Sequence, residues 1–380
     1  MKLWKIYWQF NEIENKSLIT ILRITDFLGI WKEGRGPLLT IIYILGLLYS
    51  IIYILDIYLF LLLHFSFDAF IIFVQYSAFQ MSAIKAFTYI IDRQKWTTLI
   101  GLVSALEQES ISDANARYVP IVLKYRKYCR LIVKVFWTNY IIVDVIYFLF
   151  FWKYNVLSLD ENNLDAERIV HYNIFNIVLP FDGLTRQGRI LAAILQTLFL
   201  QVSAAQVLCW DSMILAIIIF LVGQLRSLQA ASIAMPNAKS SLSFCTECLF
   251  FRCHKIFNSL ISPVTFLYYL MIQVNYGVSI VLLNQKDSIL IYTSVIMIFA
   301  LGFQYLFSFQ SDYLSYGLFK SDWVYQTSRV RRTVFMLGIG FRRRIALTAG
   351  PFKEMSLSTF VAILRTSYSF YTLLRKRSTT

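Results

Sequence analysis

Three groups of residues have the side chains and spacing to do chemistry. The first is a set of ionisable groups embedded in long apolar runs: Lys85, Lys134 and Asp211, with Asp56 and Asp144 deeper in theirs. A charge surrounded by hydrocarbon is costly, so such groups face a bundle interior, pair with one another or meet water. Lys85 and Asp211 are candidates to pair inside a helix bundle; the alternative is that one or both sit hydrated just beyond the hydrocarbon. The second group is a hydroxyl stripe. Thr359, Thr366, Ser369 and Thr372, joined by Ala362, fall on one face of a helix. Such a stripe suits a water-filled path, and equally suits hydrogen-bonded helix packing. On the adjacent face Tyr368, Tyr371 and Leu374 would make an apolar constriction that gates by dewetting.

The third group is Cys245-x-x-Cys248 followed by Cys253-His254. Paired Cys and His can hold zinc, but His254 adjoins Cys253 instead of standing a few residues away, so free thiols and no metal are expected. His64, His171 and His254 are far apart, and no Gly-rich phosphate loop is present. Neither a catalytic centre nor a cofactor is expected.

The elements that must position these residues are membrane helices. Charged residues make up 15% of the chain and apolar or aromatic ones 58%, whereas a soluble domain carries about 25% charged residues. Seven runs approach the ~20 apolar residues that a bilayer requires: 38–63, 67–91, 131–152, 190–222, 256–283, 288–310 and 357–374. The fourth is too long for a bilayer alone and should project beyond it. The seventh is short and carries Arg365. Residues 1–10 lack the apolar core of a secretory signal, so the first span is expected to act as its own insertion signal.

The net charge of +14 has a topological reading before any nucleic-acid one. Of the 36 Lys and Arg, 25 lie in the N-terminal segment and in the segments after spans two, four and six. Such residues accumulate on the cytoplasmic side. The fold class expected is therefore an all-α membrane protein with seven transmembrane helices, a cytoplasmic N-terminus and an extracellular C-terminus. A G-protein-coupled receptor has the opposite orientation, and the Asp-Arg-Tyr and Asn-Pro-x-x-Tyr signatures of its rhodopsin-like class are missing.

The cytoplasmic segments read as helical. Residues 92–130 are too many for a structureless loop, and Trp96, Leu99, Ile100, Val103 and Leu106 recur at helical spacing. Gln224, Leu225 and Leu228 carry the period of span four past the membrane. In 323–340, Val324, Thr327, Val330, Val334 and Leu337 predict another helix, followed by the basic triplet Arg342–Arg344. The helices are thus expected to extend into a cytoplasmic bundle that offers oligomer contacts.

The C-terminal third resembles the insect odorant receptor family. The resemblance runs through Ser311-Asp312, Leu314, Ser321-Asp322-Trp323 and Ile345-Ala346-Leu347-Thr348-Ala349-Gly350 with Phe352. It continues through Met355-Ser356-Leu357-Ser358-Thr359-Phe360 to Ser367-Tyr368-Ser369-Phe370. Weaker matches are Leu28-Gly29-Ile30-Trp31, Asp211-Ser212, Gln224-Leu225 with Leu228, and His254. Departures are Lys32, where the family often has Pro, and Ala300-Leu301 and Gln304 in span six. The related gustatory receptors tend to carry Thr-Tyr where this chain has Ser367-Tyr368. A transporter would be expected to show internal repeats, and none of half-chain length is evident.

The resemblance implies a ligand-gated, non-selective cation channel in which a variable receptor joins a shared co-receptor as a heterotetramer. It implies a single seven-helix unit over 1–380, with 1–37 and 311–355 cytoplasmic and 356–374 lining the pore. The setting implied is the plasma membrane of olfactory sensory neurons, and the partners are a small volatile ligand, the co-receptor and the lipid bilayer. The ligand would sit among the outer halves of the spans. Candidates there are Phe73, Val74 and Ser77; Tyr140, Val143 and Tyr147; Ile194 and Leu198; and Tyr292, Val295 and Phe299. An apolar wall with a few hydroxyls is the usual make-up of a small-molecule pocket. Thr359, Thr366, Tyr368, Ser369, Tyr371 and Leu374 would line or gate the pore.

Overall fold

A computed structural model describes residues 83–112, 119–152, 186–234 and 244–283 continuously. It also describes most of 347–354 and individual positions within 45–81 and 323–372. The continuous part is helical: α1 (Arg93–Ser112), α2 (Val119–Trp152), α3 (Arg186–Ala234) and α4 (Phe244–Leu283). A two-stranded antiparallel hairpin follows, β1 (Thr348–Ala349) and β2 (Lys353–Glu354).

Helix length is the first consequence of the apolar pattern. α3 has 49 residues, about 74 Å at the α-helical rise, whereas the hydrocarbon core is about 30 Å thick. It projects far beyond any bilayer, as its long apolar run predicts. α2 and α4, with 34 and 40 residues, likewise continue past the predicted spans at 131–152 and 256–283. Among the described residues one stretch, Gln201–Ser227, is long and apolar enough to cross a membrane. Predicted span six (288–310) lies outside the described residues. Spans one and seven show helical backbone at every described position but one-by-one only.

The helix expected in 92–130 is α1. Residues 83–91 are helical and run straight into it: the Asp92 N–H donates to the Thr88 carbonyl at 3.1 Å, and the Trp96 N–H donates to the Asp92 carbonyl at 3.0 Å. Trp96, Leu99, Ile100, Val103 and Leu106 are all buried, so the stripe read at helical spacing is the face that packs. Burying each such side chain is worth about 1.5–3 kcal/mol, which outweighs the poor helix propensity of Thr97, Thr98 and Gly101. The stripe lies against α4.

α3 is the centre of the bundle. Met213 to Ile219, Leu221, Val222 and Leu225 are buried on every side of the helix, the pattern of a helix with no solvent face. α2 packs antiparallel along it. A Cβ on Gly223 would come within 2.7 Å of the Tyr125 Cβ, so the small residue is what lets these two backbones approach. One turn further, the Cys129 thiol points at the Ala216 carbonyl, 3.8 Å away. The opposite face of α2 is exposed, with Lys124, Lys127, Leu131, Lys134, Val135, Ile142, Val145 and Leu149 along it.

The helix expected within 323–340 opens as a short 3-10 turn, Trp323–Tyr325. Helical backbone follows at residues 328, 331, 332 and 335, and the Arg331 N–H donates to the Thr327 carbonyl at 3.0 Å.

Candidate functional site

Two of the ionisable residues singled out from the sequence, Lys85 and Asp211, converge. The Lys85 ammonium lies 2.7 Å from Asp211 Oδ1, with side chains only 1% and 7% exposed. Helical backbone at 83–91 supplies the cation, α3 the carboxylate, and α4 supplies Tyr268, whose ring centroid is 4.4 Å from Lys85 Nζ. The Trp210 ring lies 5.1 Å away on another side, and its indole N–H donates to Thr88 Oγ1 at 3.1 Å. Thr88 in turn donates to the Lys85 carbonyl. One cation thus ties three helices, with its charge balanced by Asp211 and cushioned by two aromatic faces. Lys134 takes no part in this pair. It stands exposed on the outer face of α2, where a long stem lets its charge reach the interface.

A second polar junction joins α1, α2 and α3. Glu107, 2% exposed, has Oε1 3.5 Å from Arg126 Nε. Burial pushes its carboxyl up to about 7, against the pull of Arg126 and Arg130. The Ser110 hydroxyl donates to Gln224 Oε1 at 3.1 Å, so the Gln that continues the period of span four is buried and engaged.

A third feature was not legible beforehand. The hairpin at 348–354 docks on one face of α4, at Asn258, Ser262 and Phe266. Thr348 N–H donates to Asn258 Oδ1 at 2.8 Å, and Asn258 Nδ2 donates to Thr348 Oγ1 at 3.0 Å. The Gly350 N–H is shared between the Ser262 carbonyl and hydroxyl, both at 3.0 Å. Gly350 has φ 68°, and a Cβ there would lie 3.0 Å from the Phe266 ring, so the turn requires glycine twice over. Leu347 and Ala349 are buried. The hairpin pins the chain to α4 just before the hydroxyl-bearing stretch. In the sequence the Ile345–Gly350 run is only a motif, because short polar residues on the helix it docks on carry no periodic signal.

In that stretch, helical backbone is found at residues 358, 359, 361, 362, 365, 366, 368, 369 and 372. Thr366 and Ser369 are exposed and donate to the carbonyls of Ala362 and Arg365. Thr359 donates to the Glu354 carbonyl and Thr372 to that of Ser369. Thr366, Ser369 and Thr372 thus spend their donors within the helix, and Thr359 spends its own on the hairpin strand that precedes it. Tyr368 is 63% exposed. Tyr371 and Leu374 lie outside the described residues.

Of the ligand candidates, Phe73, Val74, Ser77, Tyr292, Val295 and Phe299 lie outside the described residues. Tyr140, Val143, Asp144 and Tyr147 fall on α2, but their side chains are not among those described. Ile194 and Leu198 lie on α3 and are 40% and 59% exposed. Cys253 is a buried free thiol, pushed up to about 12 by burial and so unreactive. Cys245 and Cys248 lie on α4, with side chains outside the described set.

Comparisons with known proteins agree with this architecture. The family model described as "7tm Odorant receptor" matches residues 66–368. The fold is similar to the solved structure of the insect olfactory receptor OR5 from Machilis hrabei, with a TM-score of 0.77 and 16% identity. That alignment covers 95% of this chain and 99% of the other. The same receptor solved in complex with eugenol aligns with a TM-score of 0.77 and 16% identity, over 94% and 97% of the two chains. No curated protein matches the chain.

Proposed function

This chain belongs to the 7tm odorant receptor family, and on that premise we propose that it is the ligand-selective subunit of an odorant-gated, non-selective cation channel. The observation that carries the reading is the family match over 66–368. A likeness in fold to an olfactory receptor over nearly the whole chain supports it. Odorant receptors of this kind are ligand-gated channels, not enzymes.

The ligand is a small apolar volatile held in the outer half of the helix bundle, by residues drawn from Phe73, Val74, Ser77, Tyr140, Val143, Tyr147, Ile194, Leu198, Tyr292, Val295 and Phe299. The Machilis receptor solved with eugenol is a precedent for a ligand of this size. At ~25 cal/mol per Å² of buried apolar area, a small volatile gains only a few kcal/mol, so tuning is by shape.

Span seven lines the pore through Thr359, Thr366 and Ser369. A stripe of hydroxyls on one helical face suits a hydrated cation path. Tyr368, Tyr371 and Leu374 form the outer constriction. The N-terminus is cytoplasmic and the C-terminus extracellular. The chain assembles with a shared co-receptor in the plasma membrane of olfactory sensory neurons. Arg375, Lys376 and Arg377 sit at the outer mouth of a cation pathway, and four copies of that tail would repel entering cations. Dilution among co-receptor subunits relieves this.

The test is co-expression. Volatiles should evoke current within milliseconds, without G protein, only when the co-receptor is present. A tag after Thr380 should be accessible on intact cells and one before Met1 should not. Robust ligand-evoked current from this chain alone would exclude the assembly, and surface labelling of the N-terminal tag alone would exclude the orientation.

A further inference from the structure

Two polar side chains in the middle of α3 have no partner among the described residues. Gln206 is 3% exposed and Ser203 1% exposed, and Gln206 Oε1, Gln206 Nε2 and Ser203 Oγ make no hydrogen bond. Three unpaired polar atoms in a helix bundle each forfeit about 1–3 kcal/mol. Neither residue is needed for the helix, and apolar residues of the same volume would pack there at no such cost. Buried polar groups left unsatisfied at a cost to stability point to a functional position.

Their depth follows from the antiparallel register of α2 and α3. Tyr125 lies against Gly223 and Cys129 against Ala216. Counting on from these contacts, Gln206 stands level with about Tyr140 and Ser203 with about Val143. Lys134 marks the charged end of the lipid-facing surface of α2, and nine residues separate it from Val143. Ser203 is therefore about 14 Å into the hydrocarbon, close to the midplane of a core about 30 Å thick. Ser203 and Gln206 are three residues apart, one turn. Gln206 shares its face with Trp210, four residues on, which bonds Thr88. The orphaned groups therefore lie on the side of α3 that looks toward the helix of residues 83–91, Gln206 five and Ser203 eight residues along α3 from Asp211. The Lys85–Asp211 pair, with Trp210 and Tyr268 against the cation, lies further along α3.

We infer that Gln206 and Ser203 form a hydrogen-bonding anchor at the floor of the ligand site, selecting volatiles that carry one alcohol or carbonyl oxygen over hydrocarbons of equal size. Gln206 can donate through Nε2 and accept through Oε1, so it serves either an acceptor-only ketone or a hydroxyl; Ser203 can do the same. In a dry site, a ligand oxygen that meets these groups recovers hydrogen bonds that neither partner otherwise makes, whereas an alkane leaves them orphaned. This is the source of strong discrimination in polar sites. The inference rests on the bundle being a ligand site and adds the chemical class of the ligand.

The test uses the purified full chain in detergent, with 1-octanol, 2-octanone and octane as probes and thermal unfolding as the readout. The two oxygenated probes should raise the wild-type Tm more than octane does. In Gln206→Leu the preference should fall about tenfold in apparent affinity, the worth of one hydrogen bond to the ligand. The unliganded Tm should be unchanged or higher. Ser203→Ala should reduce the preference without lowering that Tm. Equal or absent shifts for 1-octanol and octane in the wild type would overturn the inference, as would a preference that survives Gln206→Leu. A lower unliganded Tm in both variants would show a structural, water-bridged role and overturn it too. The co-expression current is a separate measurement: its loss would defeat the channel reading, whereas an unchanged alcohol-to-alkane preference defeats only the anchor.

Discussion

Lys85 and Asp211, separated by 126 positions in the chain, meet at 2.7 Å in the interior of the bundle with Trp210 and Tyr268 against the cation. A buried pair of this kind costs little when intact and much when halved, because the surviving charge keeps its desolvation penalty.

Removing one partner should therefore be severe. Lys85→Met or Asp211→Leu alone should destabilise the protein by about 3–5 kcal/mol, read as lost surface expression and a lower Tm. The double variant should recover most of that loss. A double variant that adds the two single losses would show that the two residues act independently, and that the pairing is incidental to stability.

Gly223→Ala should force α2 from α3. The new Cβ would sit 2.7 Å from the Tyr125 Cβ, a clash that involves the root of a side chain and so cannot be relieved by rotation. Overpacking of this kind costs about 1–3 kcal/mol. Tyr125→Ala trims Cγ and beyond but keeps that Cβ, so it should rescue only in part, whereas Tyr125→Gly should restore the helix spacing. Thermal unfolding of the four proteins orders these effects.

Glu107 makes stability depend on pH. Its carboxyl titrates at about 7 in the folded protein, held up by burial against Arg126 and Arg130. The unfolded chain loses the same proton near an ordinary carboxylate value. The folded state therefore binds more protons than the unfolded state between those two values, and stability falls as pH rises through that window, levelling above about 7. A Tm series across the window should slope down with pH in the wild type and flatten in Glu107→Gln. A slope that survives in the variant would assign it to another group.

The hairpin should matter for gating more than for folding. Gly350→Ala strains a φ of 68° and presses on Phe266, and Asn258→Ala removes the acceptor of the Thr348 N–H. Each should loosen the hold of α4 on the chain entering span seven. The expected result is altered maximal current or spontaneous opening, with the concentration dependence of ligand binding little changed. Binding weakened with gating intact would instead tie the hairpin to the ligand site.

Tyr147→Ala examines the ligand wall. Loss of an aromatic side chain from a pocket should cost about 1–3 kcal/mol of ligand contact. The dose-response curve should move to higher concentration while surface expression is preserved. Unmoved curves for several ligands would make Tyr147 ordinary packing.

Patterned features were legible from the sequence. The stripe Trp96, Leu99, Ile100, Val103 and Leu106 predicts a packed helix, and α1 buries all five. The long apolar run of span four predicts a helix that outreaches the bilayer, and α3 does so. These follow from local periodicity and length, which a linear sequence carries in full. The types of Lys85 and Asp211 mark them as costly intramembrane charges for which pairing is one solution and hydration another, but only the packing of α3 on the helix before α1 brings them together. Asn258, Ser262 and Thr348 gave no warning, because a hydrogen bond between short side chains some 90 positions apart leaves no periodic trace. Gln206 and Ser203 gave none either. Within α3 they read as two polar residues in a tolerant helix, and whether such a group is satisfied depends on what stands opposite it. That is decided by the register between helices, which only the tertiary structure sets.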